Sequence, residues 1–155
     1  MRDAVVAGLR TGVLVLVAGA TAVASGSPFL FPSLGPSAYV LVTAPDAETT
    51  APRRVVGGHA IGVVAGLLSY HLFARGLIVT NLPPAGSLGL GRLAVSGSLA
   101  VVLTTAGMVA TDLRHAPACA TTLIVGLGLL STLWEGLVVI VAVILLVVVD
   151  HFGPR

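Results

Sequence analysis

The chain has 155 residues, of which 56% are hydrophobic and 9% charged, and its mean hydropathy is +1.07. Soluble domains carry about 25% charged residues, so this composition excludes a soluble globular protein and indicates an integral membrane one. The net charge of +2 is scattered, and all eight basic residues are arginine, which gives no case for a nucleic-acid partner. A single cysteine, Cys119, excludes an internal disulfide and reads as a small packing residue in a helix.

The first apolar segment runs from Ala4 to Ala24, with Gly8, Gly12 and Gly19 at helical spacing, a pattern that lets helices approach closely in lipid. Arg10 interrupts it and reads as a side chain snorkelling to the headgroups. Ala22 to Ser25 resembles a signal-peptide cleavage site, but similar apolar runs recur without such a signal, so the segment is read as a retained helix. Gly26, Pro28 and Pro32 then break the chain. Ser33-Leu34-Gly35-Pro36-Ser37 starts a short run through Thr43, about 17 Å of helix against a hydrocarbon core of about 30 Å. Ser33 or Gly35 can cap it, with Pro36 in the first turn. The preceding loop is itself apolar through Phe29, Leu30 and Phe31, which favours a re-entrant half-helix over a surface one.

Ala44 to Pro52 is hydrophilic, with Asp46 and Glu48. Arg53-Arg54-Val55-Val56-Gly57-Gly58-His59 leads into a full-length segment ending at Leu72 or Phe73. Gly57, Gly58, Gly62 and Gly66 mark a close-packed face. Tyr70, His71 and Arg75 read as an interfacial collar. Asn81 to Ser87 is a turn-rich joint, followed by the long segment Leu88–Ala110.

Asp112, Arg114 and His115 come next, three ionisable groups within four positions. Such groups are costly in a membrane and mark a pathway or site. Pro117 opens a second short helix, Ala116 to Leu130, because its missing N–H falls where helices leave donors unpaired. Arg114 is expected to pair with Asp112 and to yield partly to an incoming anion. The last span is Trp134 to Val149, with Glu135 at the headgroup level, and Asp150 to Arg155 is a wet tail.

The order of long helix, broken half-helix, long helix occurs twice, over about 4–75 and 88–150. Arg10 precedes Pro36 by 26 positions and Arg92 precedes Pro117 by 25. The expected fold is therefore an all-α polytopic membrane bundle, a single domain over 1–155 of two three-segment repeats. Transporters are often built this way, with broken helices at the binding site. Either four crossings with two re-entrant helices or six full crossings satisfies the arginine distribution; the shortness of the half-helices favours re-entry. In both, half-helix N-termini point inward, and their unpaired N–H groups and partial positive charge suit a small anion. No enzymatic signature and no cofactor or metal motif is present, so an enzyme is not expected.

Leu34-Gly35-Pro36-Ser37-Ala38-Tyr39-Val40-Leu41, Ala44-Pro45 and Pro52-Arg53-Arg54-Val55-Val56-Gly57-Gly58-His59 resemble the front half of the HPP family of integral membrane proteins. His115-Ala116-Pro117-Ala118-Cys119-Ala120-Thr121-Thr122-Leu123 resembles its His-Pro-Pro signature, with Ala116 for the first proline and Cys119 for a usual glycine. The resemblance covers nearly the whole chain. It implies a small multispan bundle and nitrite transport, the activity of plant relatives in the chloroplast envelope. Soluble regulatory domains of the CBS type, found in many bacterial relatives, have no counterpart here.

The expected function is a multi-pass cell-membrane transporter or channel for a small inorganic anion, nitrite first. The expected site has one entrance at Arg114, His115 and Pro117 and another at Ser33, Gly35, Pro36 and Ser37, with Arg54 and His59 nearby. His115 could also carry a proton. The alternative is a non-transporting membrane subunit or sensor acting through a partner protein. The expected partners are lipid, the anion and, through the glycine faces, further copies of the chain.

Overall fold

A computed structural model describes residues 1–153, and they form six α-helices: α1 (Arg2–Ser25), α2 (Leu34–Thr43), α3 (Pro52–Ser69), α4 (Leu88–Ala110), α5 (Ala118–Gly126) and α6 (Leu133–Phe152). α3 continues through a π-turn, Tyr70–Ala74. Four of these are long and apolar enough to cross a membrane: α1, α3 with its π-turn, α4 and α6. α2 and α5 are the two short helices that prolines 36 and 117 lead one to expect.

Local chemistry sets the boundaries. Gly26, at φ 64°, ends α1 and donates its N–H to the Ala22 carbonyl, a left-handed stop that glycine adopts at low cost. Ser33 is the N-cap of α2, but Pro36 falls at the third helical position and has no N–H to offer it. The Ser33 hydroxyl makes no capping bond and is free for tertiary contact. Pro52 opens α3 as its first helical residue. The helix after Pro117 stops at Gly126, short of the expected Leu130, because Gly128 turns the chain at φ 85°.

α6 starts earlier and ends later than expected. Thr132 and Glu135 form a capping box: Thr132 Oγ1 accepts from the Glu135 N–H at 3.1 Å, and Glu135 Oε2 accepts from the Thr132 N–H at 2.9 Å. Glu135 is thus a cap, which the Thr-x-x-Glu spacing already spelled. At the other end the helix runs on to Phe152, and Asp150, expected in a wet tail, lies 3.7 Å from Arg10 in α1. Arg155 lies outside the described residues. Tyr70 departs from the collar as well: it is 8% exposed, and its hydroxyl accepts from the Gly76 N–H.

Contacts fix which helix ends share a face. Tyr39 and Thr43, near the end of α2, lie beside Ala4, Gly8 and Thr11 near the start of α1. The 44–51 loop shares a cavity with Val147 and Asp150 at the end of α6. Arg54, at the start of α3, reaches Asp112, just past α4. These ends define one face, called A. At the opposite face, B, Arg92 Nε donates to the Phe73 carbonyl at 2.7 Å and the Val79 N–H donates to the Leu127 carbonyl at 3.1 Å. The loop after α1 descends beside it, with Leu30 against Gly19, and α2 continues to face A. α5 lies along α3, from Gly62 at its start to Gly66 farther on, and its end reaches face B. The chain between α1 and α3 therefore runs from face B to face A, and the chain between α4 and α6 from face A to face B. This path favours the six-segment alternative over re-entry, although α2 and α5 are too short to cross a membrane by themselves and only the four long helices meet that length.

The α3 glycines are what let α5 lie so close. A Cβ at Gly62 would sit 2.7 Å from Thr122 Oγ1 and 3.0 Å from the Ala118 carbonyl, and one at Gly66 would sit 2.7 Å from Val125 Cβ. The core beside this seam is aliphatic, with Leu34, Val55, Val125, Val139 and Val143 essentially fully buried.

Candidate functional site

Five polar side chains from four parts of the chain meet where the two short helices begin, and all are 0% exposed: Ser33, Ser37, His59, His115 and Thr121. In a chain this apolar, burial requires each to be hydrogen-bonded. Ser33 and Ser37 are one helical turn apart on α2 and share a face. Thr121 lies one turn into α5, and His59 two turns into α3.

The contacts form an unbranched sequence. Ser33 Oγ is 2.6 Å from Thr121 Oγ1, which is 2.7 Å from His59 Nδ1. His59 Nε2 is 2.9 Å from Ser37 Oγ, and Ser37 Oγ is 3.2 Å from His115 Nε2. His115 Nδ1 donates at 2.9 Å to the carbonyl of Thr49, in the face A loop. The two imidazole centroids are 5.2 Å apart. A smaller polar contact lies alongside: Thr104 Oγ1 is 2.8 Å from Thr122 Oγ1, which donates to the Ala118 carbonyl.

Of the residues singled out by sequence, Ser33, Ser37, His59 and His115 are brought together. Pro117 is the N-cap of α5 and sets the start of that helix. Gly35 and Pro36 lie in the first turn of α2, Gly35 half-buried and Pro36 exposed, away from the cluster. Arg114 is exposed and, among the described residues, has no carboxylate at ion-pair distance. The expected Arg114–Asp112 pair is replaced by Arg54, which bonds Asp112 Oδ2 at 2.7 Å and Glu48 Oε2 at 2.8 Å. Asp112 adopts φ 55°, a left-handed turn that swings its carboxylate toward α3 and away from its chain neighbour. Arg54 thus ties the 44–51 loop to the break after α4 at face A, outside the cluster.

The start of α5 also differs from the expectation of free donors. The first N–H groups of α5 are taken up by tight turns, Ala118 to the His115 carbonyl, Cys119 to Ala116 and Ala120 to Pro117. The polar capacity of the site therefore resides in hydroxyls and imidazoles. Thr121 and the Thr49 carbonyl were not singled out from sequence. The signal for Thr121 was a pair of hydroxyls, Thr121 and Thr122, one turn after Pro117 in a mostly apolar helix; a backbone carbonyl has none.

Four long apolar helices and two short ones around an enclosed hydroxyl–imidazole chain define a polytopic helical membrane protein whose polar site lies between two broken segments. The family model described as HPP, transmembrane region, matches residues 1–152, and the chain belongs to the HPP family of integral membrane proteins. No curated protein and no solved structure matches it.

Proposed function

We propose that this protein moves a small inorganic anion across the cell membrane, with nitrite the first candidate. Membership of the HPP family and the apolar spans are compatible with a transporter or channel. The observation that carries the reading is the burial of five polar side chains at the meeting point of the two half-helices. Hydroxyls and imidazoles are donors that can replace part of an anion's hydration shell, and they stand near helix N-termini, whose dipoles favour negative charge. Two inverted repeats, each of three traverses, would bring the half-helices together from opposite sides. Arg2, Arg10, Arg53, Arg54 and Arg114 on face A, against Arg75 and Arg92 on face B, make face A cytoplasmic by the positive-inside rule.

The test is anion flux into proteoliposomes, comparing nitrite, nitrate, chloride and formate. Wild type would be set beside Ser37→Ala, His115→Ala and Arg114→Ala, with protein-free vesicles for passive leakage. Saturable nitrite uptake, lost in the first two variants and kept in Arg114→Ala, supports the reading. Equal flux of all four anions retains the pore and removes nitrite as its substrate. Absence of flux from folded protein replaces transport with the subunit or sensor reading.

A further inference from the structure

The hydrogen-bond sequence has only one consistent direction when both histidines are neutral. The Thr49 carbonyl can only accept, so His115 carries its proton on Nδ1 and presents a bare Nε2. Ser37 must donate to that nitrogen, which uses its single proton. His59 must then donate from Nε2 to Ser37, leaving its Nδ1 bare. Thr121 donates to that Nδ1, and Ser33 donates to Thr121. All five donors are aligned from Ser33 toward Thr49.

We infer that this sequence is a proton relay that loads His115 as the anion enters, making the protein a one-to-one proton–anion symporter. The inference rests on the anion reading above for its second substrate. The step balances. A hydronium ion in water admitted from face B gives a proton to the Ser33 oxygen. The Ser33 proton passes to Thr121, that of Thr121 to His59 Nδ1, that of His59 Nε2 to Ser37, and that of Ser37 to His115 Nε2. Five O–H or N–H bonds form and five break, counting the hydronium's. His115 ends as an imidazolium and His59 remains neutral as the other tautomer. Every contact persists, with the four upstream of His115 reversed.

The surroundings explain why the load would be shared with an anion. Facing the two rings are Ser37 from α2, Thr121 from α5, the Thr49 carbonyl from the loop, and each other. Met108 of α4 lies near Gly58. Among the described residues, no carboxylate lies within ion-pair distance of either ring, since Glu48 and Asp112 are held by Arg54 and Asp150 by Arg10. Arg114 is exposed, and Glu135 caps the far end of α6. A charged His115 therefore has no internal counter-ion, and an entering anion supplies one. At the other end, a carbonyl accepts a hydrogen bond but does not take up the proton. The proton can pass on toward face A only when the 44–51 loop lifts Thr49 off Nδ1, which ties forward release to a conformational step.

The test combines histidine 15N NMR with flux. With His71→Gln and His151→Gln simplifying the spectrum, full-length protein is titrated without any anion substrate. The expected result is Nδ1–H on His115 and Nε2–H on His59 at high pH. As His115 becomes doubly protonated, His59 converts to Nδ1–H, and Ser37→Ala uncouples the two changes. A His59 tautomer that ignores His115, or a His115 that never protonates, overturns the relay whatever the anion result. In proteoliposomes, nitrite uptake should bring one proton per anion, be indifferent to a membrane potential clamped with valinomycin, and fall about a hundredfold in Ser37→Ala. Nitrite flux that follows the potential without proton movement overturns symport and leaves anion transport standing. A coupled tautomer switch with no nitrite flux retains the relay and overturns symport together with the anion reading.

Discussion

Arg54 Nη2 lies 2.7 Å from Asp112 Oδ2, across 58 positions of sequence, and joins the start of α3 to the break that precedes His115. Asp112 reaches this position only in a left-handed turn, which asparagine and aspartate tolerate better than other side chains. Asp112→Asn should keep both the turn and an acceptor and change stability by less than about 0.5 kcal/mol. Asp112→Ala, which loses both, should lower the melting temperature more than Asp112→Asn does. Thermal unfolding of the detergent-solubilised protein separates the two.

The seam between α3 and α5 has no slack. Gly62→Ala places a methyl 2.7 Å from Thr122 Oγ1 and 3.0 Å from a carbonyl, so α5 must move outward. We expect a loss of about 1–3 kcal/mol, the usual cost of overpacking. Gly12→Ala on α1, where a Cβ meets nothing within 4 Å, should be neutral or slightly stabilising. Equal melting temperatures for the two variants would show that α3 and α5 do not pack this closely.

Gly128 carries a stricter requirement. Its φ of 85° disfavours any side chain, and an added Cβ would collide with the Leu77 carbonyl. Gly128→Ala should prevent the α5–α6 turn from closing, giving little monodisperse protein by size-exclusion chromatography. Thr132→Ala, in the same connection, removes only a cap. It should cost about 1 kcal/mol and accelerate amide exchange in the first turn of α6, as measured by hydrogen–deuterium exchange.

Six traverses and four make opposite predictions for the hydrophilic loop. In a Cys119→Ser background, a cysteine at Asp46 should be labelled by an impermeant maleimide from the same side as the N-terminus, and one at Pro84 from the other. Labelling of Asp46→Cys from the side opposite the N-terminus would restore the re-entrant arrangement.

Much of this architecture was legible in the chain. The four long helices follow from apolar runs, and both short ones from a proline placed soon after a helix break. Ser33, Ser37, His59 and His115 were legible as polar residues beside the two breaks, but their bonding to one another was not. The choice between Arg114 and Arg54 as the partner of Asp112 was not, because it depends on one backbone turn that reverses the direction of a carboxylate. The crossing number was equally hidden. Arginine counts accept both topologies, and an apolar loop beside a short helix looks alike in sequence whether it returns or completes the span.

α2 lies against α1 and α6, and it meets α3, α5 and the break before α5 through the hydroxyls of Ser33 and Ser37. Its polar grip on that side is three side-chain hydrogen bonds, each worth about 0.5–1.5 kcal/mol net. Those bonds alone would thus hold α2 to the histidines by only a few kcal/mol, with the buried Leu34 and Ala38 adding their apolar contacts. The glycine seam holds α5 closely to α3, so beside the histidines the hydroxyl-lined boundary of α2 is the looser of the two contacts.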